Sequence, residues 1–128
     1  MTEQKKIVYI AGPIIDAPDY YEAFDEAEND LRVMNFITLS PAHLSTDMPV
    51  DRYASVCAAM LDSADAVYLL EGWETSKDQY LTMTRDYARA KRLPIVTQKR
   101  VLLGEELDAI VRREWMKLEL EEAIRWKY

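Results

Sequence analysis

The chain has 128 residues, 49% of them apolar and 30% charged, with 23 Asp and Glu against 16 Lys and Arg and a net charge of −7. That length suits one domain over residues 1–128, which would bury roughly two thirds of the surface its unfolded chain exposes. The acidic balance argues against a nucleic-acid polymer as partner, because phosphate-backbone binding needs a positive surface.

No stretch approaches the ~20 apolar residues of a membrane span, so no membrane partner is expected. Met1 to Lys6 is charged rather than apolar, which argues against a signal peptide. A single cysteine, Cys57, excludes an internal disulfide and leaves no pair for a structural zinc. A cytoplasmic protein without metal or cofactor is the expectation.

Lys5 to Ala11 is a β-rich apolar run closed by Gly12-Pro13 and reads as the first strand. Asp19 is placed to cap a helix, with Glu22 three residues on and Tyr20, Phe24, Ala27, Leu31 and Met34 on one face. Asn35 is a stop. Phe36 to Leu39 reads as a short strand ended by Ser40-Pro41, and 42–50 as a loop. Asp51 can cap the next helix, whose stripe is Tyr53, Val56, Cys57, Met60, Leu61 and Ala64.

Ala66 to Leu70 is continuously apolar, as in a strand covered on both faces. The chain turns at Gly72. Ser76, followed three residues later by Gln79, forms a capping box, which predicts a helix from Ser76 to about Arg92. Leu93 to Thr97 is a fourth strand. Gly104 to Trp126 reads as a long charged helix, with Leu107, Ile110, Val111, Trp115, Leu118 and Ile124 as burial candidates; it either covers its own sheet or packs in a homodimer.

The β-α alternation predicts an α/β chain, a flavodoxin-like or Rossmann-like three-layer sandwich with a parallel sheet of about four strands (core 5–98) and a long C-terminal helix (104–127). In flavodoxin-like order, strands one and three are neighbours where the winding reverses, and ligands bind at their carboxyl ends. There Gly12 would let backbone approach a ligand. Ser76 and the helix start would donate to an anion, and Trp73 would offer a ring face. A nucleoside or nucleotide fits such a crevice; a surface turn with a routine cap is the other reading. His43 and Cys57 have no catalytic partner in view and read as structural or as a small buried thiol. Glu71 and Glu74 could meet a sugar hydroxyl or be solvated loop charges.

Val8 to Ile14, Pro18-Asp19-Tyr20-Tyr21 with Phe24 and Glu28, Ser40-Pro41-Ala42, and Met60 to Ser76 resemble the small nucleoside 2-deoxyribosyltransferase-like proteins, many of them phage-encoded. The similarity spans residues 7–97. It implies a parallel α/β fold with a pocket for a nucleoside or its 5′-monophosphate and, in active relatives, N-glycosidic cleavage by a nucleoside deoxyribosyltransferase or nucleotide N-glycosidase. Tyr9, Gly12, Pro13, Asp16, Gly72, Trp73, Glu74 and Ser76 are the binding candidates.

The relatives' catalytic glutamate, six residues after the serine, matches Thr82; counting back from Tyr87-Ala88 it matches Thr84 instead. A second, sugar-holding carboxylate matches Cys57. Asp78 and Asp86, each four residues from Thr82, are either substitutes on the same helix face or solvated charges. Glycosyl transfer needs a carboxylate opposite the cationic sugar. The expectation is therefore a nucleotide-pocket protein with doubtful turnover, or a lapsed binding or interaction protein.

Overall fold

A computed structural model describes residues 5–127 of the chain, with side chains as far as Arg125. Strands β1 (Ile7–Ala11), β2 (Ile37–Leu39), β3 (Ala66–Leu69) and β4 (Ile95–Thr97) form one all-parallel sheet in the order β2-β1-β3-β4. Helices α1 (Tyr20–Val33), α2 (Val50–Asp62) and α3 (Gln79–Ala90) connect them, and α4 (Gln98–Leu102) and α5 (Leu107–Lys127) follow. This is the expected flavodoxin-like sandwich. Its winding reverses between β1 and β3, which pair in register as Tyr9 with Val67 and Ala11 with Leu69.

Alternation along the strands splits the core into two layers. Val8, Ile10, Tyr68 and Val96 face α1 and the start of α5, where Phe24, Leu31 and Ile110 pack on them. Tyr9, Val67 and Leu69 face the other way, against Leu61, Leu81 and Ala88 of α2 and α3. Two helices end on residues in the left-handed region: Asn35 (φ 72) after α1 and Arg92 (φ 57) after α3. In each case the next residue donates its N–H five positions back, Phe36 to Leu31 O and Leu93 to Ala88 O, which closes the last turn and launches a strand.

Several sequence expectations need correction. Helix α3 begins at Gln79 rather than Ser76, and its cap is Asp78, whose Oδ1 accepts from Tyr80 N at 2.9 Å. Asp51 lies inside the first turn of α2, and Pro49 precedes that helix. The short α4 was not expected. In α5 the stripe is buried only at Leu107, Ile110 and Val111, whereas Trp115 is 53% exposed and Ile124 is exposed too. The helix packs on the α1-side core with its first turns, and its second half runs along the β4 edge with its large apolar side chains mostly exposed. Trp126, a candidate for the dimer contact, lies outside the residues whose side chains are described.

Candidate functional site

At the reversal point the β1 loop does not hold an open cradle of donors. The Asp78 carboxylate, 3% exposed, fills it. Asp78 Oδ2 accepts from Ile14 N at 2.9 Å and Ile15 N at 3.0 Å, while Oδ1 caps α3. A side chain thus occupies the anion position that a loop and a helix start would otherwise offer a phosphate. Asp78 is therefore neither a solvated charge nor a carboxylate with its oxygens free. Gly12 also serves packing rather than ligand approach, because a Cβ there would stand 2.9 Å from Leu70 Cδ1 and 3.0 Å from Leu70 Cβ.

The crevice between the Gly12 and Gly72 loops exists, with a volume of about 360 Å³, and opens on the α1 side. Pro13, Asp16, Gly72 and Ser76 line it, together with Tyr20, Asp19 and Glu71. Asp16 engages two donors at its rim. Ser76 Oγ donates to Asp16 Oδ1 at 2.8 Å, and Lys77 N donates to Asp16 Oδ2 at 2.7 Å. The Lys77 amide above all, and then the Ser76 hydroxyl, hold the Asp16 carboxyl below its ordinary pKa of 3.8. An acidic crevice whose Ser76 hydroxyl is committed to Asp16 is a poor phosphate site.

On the opposite face of the same loop, Tyr9 of β1 meets Cys57 of α2 and Thr84 of α3. Burial first, and then the Cys57 thiol, push the Tyr9 phenol well above 10.0. Burial likewise raises the Cys57 thiol above 9.0, although the Tyr9 and Tyr53 hydroxyls oppose it, so the thiol stays protonated near neutrality and is no ready nucleophile. Tyr53 and Tyr80 close the space, with ring centroids 4.9 Å apart. Cavities of about 20 and 70 Å³ lie beneath and beside them, and no lysine or arginine is among the described residues that line either. Tyr53 and Tyr80 were missed, yet each stands four residues before a candidate, Cys57 or Thr84, the spacing of one helix face.

The remaining candidates are elsewhere. Thr82 and Asp86 are exposed on α3, outside both cavities, so the register that counts back from Tyr87-Ala88 is the one that faces Tyr9. Glu74 is exposed, and Trp73 turns away from the crevice to lie under Arg85, whose guanidinium carbon is 4.3 Å from its ring centroid. His43 is structural: its Nε2 lies 2.8 Å from Glu28 Oε2 and donates to it. Thr38 and Arg32 also donate to buried Glu28, at 3.2 and 3.3 Å. This knot fixes the Pro41–His43 turn, whose Pro41 walls the Tyr9 cluster. Among the described residues no group of three or more His, Cys, Asp or Glu could hold a metal ion.

A parallel sheet whose reversal point carries a self-filled anion cradle and a tyrosine-covered cluster defines a class of domain rather than an activity. The chain belongs to the family described as a domain of unknown function (DUF4406), whose profile matches residues 6–97 and leaves α5 outside. A comparison with curated proteins finds no match. Among the described residues no helix is long and apolar enough to cross a membrane.

Proposed function

We propose that the chain binds a nucleoside over β1, between the Tyr53 and Tyr80 rings, and does not cleave its N-glycosidic bond efficiently. The observation that carries this reading is the convergence of Tyr9, Cys57 and Thr84, drawn from β1, α2 and α3, with no uncommitted carboxylate among them. The positions at which the resemblance places a nucleophile and a sugar-holding carboxylate are Thr84 and Cys57. They face each other as a sugar site requires but carry the wrong groups for charge at an anomeric carbon. Binding requires the two rings to part, after which each offers a face to a base. The absence of Lys and Arg from the lining favours a nucleoside over its 5′-monophosphate.

An NMR titration with a panel of nucleosides and their monophosphates tests the reading. Perturbations centred on Tyr9, Tyr53, Tyr80 and Thr84 are expected. Perturbations confined to Asp16 and Tyr20 would move the site to the acidic crevice, and none at all would end the nucleoside reading. We also propose a homodimer formed through the exposed second half of α5. The support for a cytoplasmic setting is the lone Cys57, a buried free thiol.

A further inference from the structure

A larger cavity belongs to neither the crevice nor the tyrosine cluster. It is a groove of about 630 Å³ along the β4 edge of the sheet, between α3 and the second half of α5. Its α3 wall carries Arg85 and Arg89, one turn apart, and then Arg92 just beyond the helix end; Arg125 of α5 stands across from them. In a chain of net charge −7, four guanidiniums line one concavity. None of the four has a carboxylate within salt-bridge distance among the described residues, although Arg100 and Arg113 nearby are fully paired. On the α5 wall Glu114 is already engaged by Arg100 at 3.1 Å and Lys117 at 3.3 Å, and Glu121, the other acid of the lining, makes no ion pair with the four arginines among the described residues, so four guanidiniums face two carboxylates in the groove.

Two further observations separate this groove from an incidental patch. Arg85 lies over the Trp73 ring, its guanidinium carbon 4.3 Å from the centroid, a cation–π contact that restrains the side chain beside the groove. Arg92 occupies the left-handed position that ends α3, at φ 57, where glycine or asparagine is the low-cost residue. The chain therefore carries a strained arginine at a place that local structure would give to glycine, and the result is one more guanidinium in the groove.

We infer that this groove is a binding site for a compact multivalent phosphate, a pyrophosphate-like group whose oxygens several guanidinium forks take pairwise. Arginine forks match phosphate geometry bidentately. The inference is independent of the nucleoside reading, since the tyrosine cluster shares no lining residue with the groove.

The probe is inorganic pyrophosphate, titrated into the full chain by calorimetry and by 15N NMR at low and at physiological salt. Binding is expected to perturb the Trp73 indole and the amides of Arg89 to Leu93, and to weaken with salt. Arg92→Gly is the informative variant: it should keep or raise the melting temperature while lowering affinity at least fivefold. Arg85→Gln with Arg89→Gln should lower affinity at least as much. The proposal is overturned if pyrophosphate does not bind, if it perturbs other residues, or if both variants bind it as well as the parent chain. Nucleoside titration of the same variants reads the other site separately.

Discussion

Asp78 shows what a single residue decides here. Its two oxygens satisfy three backbone N–H groups, two in the β1 loop and one at the start of α3, and so tie segments more than sixty residues apart. Asp78→Ala leaves all three donors without that partner in a buried place, and hydrogen bonds to charged groups contribute roughly 1.5–3 kcal/mol each. A loss of about 3 kcal/mol in denaturant unfolding, with an unchanged m-value, is the expected outcome. A cost under about 1 kcal/mol would show that water replaces the carboxylate freely. The sequence pointed to Ser76 as the cap because the Ser76–Gln79 spacing is a local pattern. What overrides it is the bond from Ser76 to Asp16, a contact across sixty residues that no local pattern encodes.

At the scale of elements, the Asp16 clasp joins the β1 loop to the segment before α3. Its folded-state pKa lies below the ordinary 3.8, so the unfolded chain takes up the proton first as pH falls. The stabilisation is therefore complete above the ordinary carboxylate range and is lost as pH falls through the lowered folded-state value. Melting temperature followed from pH 6 down to about pH 2 should drop less steeply in Asp16→Asn than in the parent below about pH 4. Parallel curves would remove Asp16 from the acid response.

The α5 helix makes a second element-scale case. Its apolar residues were legible, but which of them find a partner depends on how the helix sits on the sheet. Trp115, Met116, Leu120 (62% exposed) and Ile124 stay exposed. If they close a dimer, light scattering gives twice the chain mass, and Trp115→Glu with Leu120→Glu returns it to one chain without lowering the melting temperature of the α/β core. A single-chain mass for the parent at high micromolar concentration would refute the dimer.

Across the whole molecule, the parallel sheet followed from the β-α alternation and the unbroken apolar run of β3, and the strand order is the flavodoxin-like one, with β1 and β3 adjacent. The site was only partly legible. Residues that the loops bring near one another in sequence are divided by the sheet into an acidic crevice, a tyrosine-covered cluster and an arginine groove, because successive strand residues face opposite layers. The same geometry separates the two threonines. Thr82 is exposed on α3, whereas Thr84 faces Tyr9 and Cys57.

Base release from 2′-deoxynucleosides, followed chromatographically, should consequently stay at the uncatalysed background rate for the parent chain and for Thr82→Glu. Thr84→Glu, alone or with Cys57→Asp, puts a carboxylate where the sugar would sit. It should raise base release at least about tenfold, equivalent to about 1.4 kcal/mol of barrier. The gain is expected to be modest because Thr84 lines small cavities covered by the Tyr53–Tyr80 rings, and a glutamate there must displace one of them. Robust release by the parent would mean that a committed carboxylate such as Asp78 is freed on binding, and a gain at Thr82 instead of Thr84 would place the sugar on the outer face of α3 and sink the proposed site.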